Sequence, residues 1–324
     1  RAQGRRVVYV DNGQIVAQKG KHSFRIPLSQ VPLTRNGQIG FQTENVLAAV
    51  GAAWAVDVPW EAIAQGLSTF ISDVQGVPGR FNVFDYRGAT LIADYGHNPD
   101  AIQALVGAVD NMPANKRVVV ISGAGGHFCA GADVKDLVSA GDQLQALNRA
   151  FGTLLQEVQA LTPVVIAVLQ GAVLGGGFGL ACVSDIAIAE GQAQFGLPET
   201  RLGLLPAQIA PFVVKRIGLT HTRRLALTAA RFDGVEAGRL GVVHFVEHDA
   251  QALAQRVDEV LGQVLQCAPG ANARTKALLL ASVDEPLEAV LDRGAQWFAE
   301  AVRSEEGVEG TQAFVQKRKP SWCK

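Results

Sequence analysis

Two short runs of mostly branched apolar residues, Lys116–Ser122 and Val164–Leu169, each open into a glycine-bearing turn. Runs without polar alternation suit strands that are covered on both faces, as in a parallel sheet flanked by helices. Between them, Asp142–Leu161 places Leu144, Leu147, Phe151, Leu154, Leu155 and Val158 at steps of three, four or one, a broad apolar stripe that predicts a helix closed by Thr162-Pro163. Strand, glycine turn and helix recurring in order predict an α/β fold with ligand contacts at the strand ends.

The 324 residues can bury a substantial core, as one large domain or two smaller ones. Hydrophobic residues at 48% and charged residues at 18% are the profile of a globular chain. Apolar runs such as Val46–Val56 fall short of the roughly 18 residues a membrane span needs, so no membrane partner is expected. A net charge of −1 gives no electrostatic reason to expect nucleic acid, and the Lys317-Arg318-Lys319 cluster is too short to change that. Cys129, Cys182, Cys267 and Cys323 are far apart with no CxxC pair, and are read as buried free thiols of a cytoplasmic protein rather than disulfides or a metal site. No stretch has the order of a signal peptide, although a chain starting at Arg1 leaves room for an upstream segment.

Asp11-Asn12-Gly13 between Arg6–Val10 and Gln14–Ala17 is a hairpin signal, because Asn and Gly tolerate the positive φ of tight turns. An Ala-rich helix is expected from Thr43 to about Asp57, with a second helix from Pro59 to about Ile71. Gln75-Gly76-Val77-Pro78-Gly79-Arg80 is the best candidate boundary. Beyond it, Phe81–Tyr86 and Thr90–Ala93 read as a hairpin and Pro99–Val109 as a helix. After Pro206, helices are expected near His221–Ala230, Ala250–Leu265, Asn272–Leu280, Pro286–Arg303 and Val308–Arg318.

Phe128-Cys129-Ala130-Gly131-Ala132-Asp133 and Gly171-Ala172-Val173-Leu174-Gly175-Gly176-Gly177-Phe178-Gly179 are the two glycine-rich turns. Small residues there serve either tight helix-on-strand packing or bare backbone N–H groups facing a developing oxyanion. Neither turn fits a nucleotide-binding fingerprint. Glu199, in Phe195-Gly196-Leu197-Pro198-Glu199, is a carboxylate in an apolar stretch; it is either a surface or paired group or an acid/base whose pKa desolvation raises. Asp185 is read as structural.

Taken together, Ser122–Asp133, Gly175-Gly176-Gly177, Phe195–Glu199 and Gly203-Leu204-Leu205-Pro206 resemble the enoyl-CoA hydratase/isomerase (crotonase) family over residues 117–324, and Glu309–Pro320 resembles its last helix. The resemblance implies a crotonase-type spiral of ββα units over 117–256 and a C-terminal helical region, 257–324, that closes the CoA site and builds a homotrimer or a dimer of trimers. It further implies an acyl-CoA substrate, with coenzyme A as part of that thioester and no tightly bound cofactor or metal. The carbonyl would sit between the N–H groups of Ala132 and Gly176, with Glu199 as the catalytic carboxylate. Ala130, Asp133, Gly175, Leu205, Phe314 and Lys317 would contact substrate.

Hydratases of the family commonly use two glutamates, and the place of the first is Gly179 here. Gly179-Leu180 and Pro206–Phe212 resemble the methylglutaconyl- and isohexenylglutaconyl-CoA hydratases, whose substrates are branched and carry an extra carboxylate. The resemblance implies syn hydration of the 2,3-double bond of such a thioester. A double-bond isomerase using one carboxylate and a catalytically inactive scaffold are the alternatives.

The front resembles another family. Val77–Val83 and Ala93–Asp100 are similar to the C-terminal part of Mur-type ligases, closest to cyanophycin synthetase. On that resemblance 1–76 is a remnant of the ligase central domain and 77–125 a C-terminal ligase fragment placed to complete the crotonase core, a truncated α/β segment joined to the rest through Arg117–Gly125. The ligase phosphate-binding loop is absent from the sequence, so ATP-dependent ligase activity is not expected.

Overall fold

The computed structural model describes residues 6–71, 82–86, 89–93, 118–123, 125–131 and 139–323. The chain divides into two compact units, the first containing the residues up to Val83 and the second Phe84–Ile92 together with everything from Ala114 onward.

In the first unit, β1 (Arg6–Asp11), β2 (Gln14–Lys19) and β3 (His22–Pro27) form an antiparallel meander. The first turn is the expected one: Asp11 pairs with Gln14 across Asn12 and Gly13, whose φ values of 48° and 71° are those an Asn-Gly hairpin turn requires. Helix α1 (Gly40–Ala55) buries Gln42, Val46, Val50 and Trp54, one residue per turn, and starts earlier than Thr43. Pro59 is the N-cap of α2 (Trp60–Thr69) rather than a member of its first turn. Ile15, Ala17, Ile26, Val46, Val50 and Ile63 close a core that belongs to this unit.

Strands β4 (Asn82–Tyr86) and β5 (Ala89–Ala93) pair with each other as a two-stranded sheet. The helix expected at Pro99–Val109 lies outside the described residues.

In the second unit, β6 (Val118–Ser122) precedes α3 (Leu144–Ala160), followed by β7 (Val164–Leu169), β8 (Ala172–Leu174) and α4 (Gly176–Val183). Then come β9 (Ile186–Glu190), β10 (Gln194–Gly196), α5 (Ala210–Thr228), α6 (Gly234–Leu240) and β11 (Phe245–Glu247). The order β11-β9-β7-β6 makes a four-stranded parallel sheet, and β10 pairs in parallel with β8. The leading strands of β7–β8–α4 and β9–β10–α5 therefore stack in one sheet and the trailing strands in another, which is the repeated ββα logic of the α/β reading.

Helix α7 (Ala250–Leu265) has the expected bounds, started by Asp249, whose side chain accepts from the Ala252 N–H. It lays Leu253, Val260 and Leu261 on Val118, Ile166, Val168 and Ile188 of the sheet. Helices α8 (Pro269–Asp284), α9 (Leu287–Arg303) and α10 (Glu305–Val315) complete the chain's helical end. Helix α8 is longer than the expected Asn272–Leu280, because Pro269 is favourable in a first helical turn. Of the four cysteines only Cys182 is buried, and Cys267 is exposed, which corrects the expectation of four buried thiols.

Candidate active site

The two glycine turns meet through backbone bonds. Cys129 bridges Val173 in parallel, its N–H donating to Ala172 O at 2.8 Å and its carbonyl accepting from the Leu174 N–H at 2.9 Å. Phe128 N–H donates to Gln170 O at 2.9 Å, and His127 Nδ1 accepts from the Ala172 N–H at 3.0 Å. This pairing sets Cys129 beside the start of α4. Ala130 is exposed there; Ala132 and Asp133 lie outside the described residues.

Helix α4 begins on a backbone that only glycine adopts readily. Gly175, its N-cap, has φ 52° and ψ −119°, and its N–H donates to Gly196 O at 3.1 Å. The N–H of Gly176 is a first-turn donor with no acceptor inside the helix. Close packing is also real: a Cβ on Gly176 would stand 2.9 Å from Phe151 Cζ, and one on Gly177 2.4 Å from Cys129 Cβ. Close packing is thus a reason for glycine at both positions, and the first-turn N–H of Gly176 stays unbonded within the helix.

Glu199 opens a short 3-10 turn, Glu199–Leu202, whose end at Gly203 has φ 71°. Its Oε1 would lie 3.0 Å from a Cβ on Gly175, so the missing side chain at 175 lets the carboxylate approach the start of α4. Its Oε2 is buried and makes no hydrogen bond. Desolvation pushes its pKa above the ordinary glutamate value, opposed by a hydrogen bond from its own backbone. A half-buried carboxylate with one oxygen unbonded, beside the start of α4, is suited to hold and return a proton. The alternative of a paired surface group does not describe it.

Gly179 lies on α4 with no open space beside it. A Cβ there would meet Ile209 Cγ2 at 2.3 Å and Leu155 Cδ1 at 3.3 Å. Leu205 is 72% exposed near the Glu199 turn, while Phe314 is 85% exposed at the end of α10 and Lys317 follows it, also exposed. The single chain therefore brings Gly175, Gly176 and Glu199 together, and leaves Phe314 and Lys317 facing solvent. Asp185 is structural, as expected: its Oδ2 accepts from the Val165 N–H and pairs with Lys276 Nζ, both at 2.7 Å. Among the described residues no cluster of His, Cys, Asp and Glu could hold a metal, and no helix is long and apolar enough to cross a membrane.

Residues 98–324 match the family model described as enoyl-CoA hydratase/isomerase. The chain belongs to the enoyl-CoA hydratase/isomerase family. The match begins upstream of Arg117, where the family motifs were first read. Mevalonyl-coenzyme A hydratase of Aspergillus fumigatus is 36% identical over 233 residues, 68% of this chain and 83% of its own. Carnitinyl-CoA dehydratase of Proteus mirabilis is 32% identical, covering 64% of this chain and 81% of its own. Among solved structures, the Pseudomonas aeruginosa protein AtuE is 56% identical with a TM-score of 0.71, over 75% of this chain and 98% of that one. An enoyl-CoA hydratase/isomerase from Marinobacter aquaeolei is 44% identical with a TM-score of 0.70, over the same shares. As a member of the enoyl-CoA hydratase/isomerase family the chain is an enzyme of acyl-CoA metabolism with a crotonase-type α/β fold.

Sequence reasoning missed Ile209 and Phe151, the side chains packed on Gly179 and Gly176. Neither carries a chemical signal in one dimension, since an apolar residue becomes part of a site only through the backbone it touches.

Proposed function

We propose that the chain is a hydratase that adds water across the 2,3-double bond of a branched enoyl-CoA whose acyl chain carries a second carboxylate, such as a 3-substituted glutaconyl-CoA. The observation that supports this most is the buried, partnerless Oε2 of Glu199 beside the start of α4. In this reading the thioester carbonyl accepts from the N–H groups of Ala132 and Gly176. Water oxygen bonds to C3 while Glu199 takes one of its protons, and the double-bond electrons move to an enolate held by those N–H groups. Glu199 then returns the proton to C2 on the same face, which completes a syn addition. One carboxylate suffices because it acts first as base and then as acid.

The space beside Gly179 favours a second reading, a double-bond isomerase, because Ile209 and Leu155 stand where another water-orienting group would need to be. Isomerisation needs only a proton carried between two carbons. Product analysis with 2-enoyl- and 3-enoyl-CoA thioesters separates the two. Full activity in Glu199→Gln would sink both, and turnover no greater than that of Glu199→Ala would leave an inactive scaffold.

Two further parts belong to this proposal. Residues 257–324 close the CoA site, with Phe314 and Lys317, and assemble a homotrimer or a dimer of trimers in the cytoplasm; the exposed Leu279, Leu287, Leu291, Phe298 and Phe314 support a helical face that another copy covers. Residues 1–76 are a ligase-derived appendage and 77–125 a ligase-like segment that completes the crotonase core, its part from residue 98 onward lying within the family match. The core of Ile15, Val46, Val50 and Ile63, closed within the first unit, supports the appendage reading.

A further inference from the structure

The seam between α3 and the start of α5 holds two polar head groups with no acidic partner among the described residues. Gln208 reaches over Gly152 of α3: a Cβ there would stand 2.0 Å from Gln208 Oε1 and 3.2 Å from Arg149 Nη1, so the missing side chain at 152 admits the carboxamide beside the guanidinium. Gln208 is half-buried, and its carboxamide has no hydrogen-bond partner among the described residues. Arg149 is exposed and donates to Thr153 Oγ1 at 3.0 Å and Gln156 Oε1 at 3.3 Å, both neutral acceptors of its own helix. No carboxylate pairs with it among the described residues.

Residues one or two positions from these two pack on helix α4. Phe151, next to Gly152, packs on Gly176, and Ile209, next to Gln208, packs on Gly179. The seam therefore runs alongside the first half of α4, within two residues of the groups that touch it on both sides. A neutral acyl tail would leave the guanidinium's charge and the carboxamide's donors unused. A carboxylate accepts from both, and planar guanidinium donors match its geometry.

Resting on the hydratase reading above, we propose that Arg149 and Gln208 are specificity-determining residues that bind the second carboxylate of the acyl chain. The guanidinium supplies charge and the Gln208 amide a directed N–H. Ile209 keeps the neighbouring wall apolar, which favours placing the tail's charge at this seam.

The test uses the full chain and a matched pair of substrates, 3-methylglutaconyl-CoA and 3-methylcrotonyl-CoA, which differ by the carboxylate. Replacing Arg149→Met should lower the ratio of their kcat/KM values, acid over neutral, by about 10- to 100-fold, the worth of a charge-assisted hydrogen bond, chiefly through KM for the acid. Gln208→Leu should lower the same ratio by about 3- to 10-fold, as loss of one neutral hydrogen bond does. A ratio within two-fold of wild type in both variants overturns the proposal while leaving the hydratase reading intact. Calorimetric binding of the saturated thioesters 3-methylglutaryl-CoA and isovaleryl-CoA reads the site without turnover. If wild type hydrates neither substrate yet binds the acid more tightly, and Arg149→Met removes that preference, the hydratase reading fails and the carboxylate site stands. Equal binding of both thioesters by the wild type overturns it.

Discussion

Ile209 presses its Cγ2 into the space that a side chain at Gly179 would need, 2.3 Å from where its Cβ would stand. The missing carboxylate at 179 is therefore a repacked wall and not an empty place. Gly179→Glu should not restore a second acid group. It should overpack α4 against α5 and strand a charge among Ile209 and Leu155, at a cost of at least ~3 kcal/mol. Ile209→Ala in the same chain opens the space, so the double variant should recover much of that loss. Urea unfolding of the single and double variants measures the coupling, and additive effects would rule out the contact as its cause.

Glu199 gives up stability to the site. Its folded pKa lies above the ordinary 4.5 because of desolvation, so the folded chain holds this proton more tightly than the unfolded one. Ionisation near neutral pH thus costs stability, and the cost fades as pH falls through the raised pKa towards 4.5. Glu199→Gln should be more stable than wild type at pH 7, with the difference shrinking on acidification. Its kcat/KM should drop by about 100-fold or more, and the acid limb that protonation of Glu199 gives the wild type should vanish. Thermal unfolding and rate profiles on the same samples check both signs.

How much of this was legible in one dimension depended on how local the cause was. Asn12-Gly13 announces its turn because the residues that need positive φ are themselves the signal. The bounds of α7 follow from an Asp249 cap and an apolar stripe beside it. Glu199 was visible as a carboxylate in apolar company, and its burial with one unbonded oxygen agrees with that reading. The loss at Gly179 was visible too, but its replacement by Ile209 was not, since nothing near either residue states that α4 and α5 touch there. The partner of Asp185 was hidden for the same reason, lying 91 residues away.

That distant pair should matter for folding. Asp185 Oδ2 accepts from the Val165 N–H of β7 and from Lys276 Nζ of α8, whose side chain is only 10% exposed and also donates to Pro163 O. Asp185→Ala leaves an amide and a shielded ammonium without their acceptor, and should cost about 2–3 kcal/mol. Asp185→Asn keeps an oxygen for the amide while removing the charge, and should cost about half as much. Chemical denaturation ranks them; equal losses would mean that the Lys276 pair contributes nothing beyond the Val165 bond.

Gly175 joins the backbone of the site to its carboxylate. At φ 52° and ψ −119° an L side chain is strained, and a Cβ there would crowd Glu199 Oε1 at 3.0 Å. Gly175→Ala should lose ~1–3 kcal/mol of stability and, by moving the carboxylate, about 100-fold in kcat/KM, as misplacements of about 1 Å do. Gly241→Ala is the control: φ is +79° and nothing lies within 4 Å of its Cβ, so it carries backbone strain without touching Glu199. It should lose ~1 kcal/mol and keep wild-type turnover. Unfolding and steady-state rates on the two variants separate strain from placement, and an equal loss of turnover in both would mean that the Gly175 effect is strain alone.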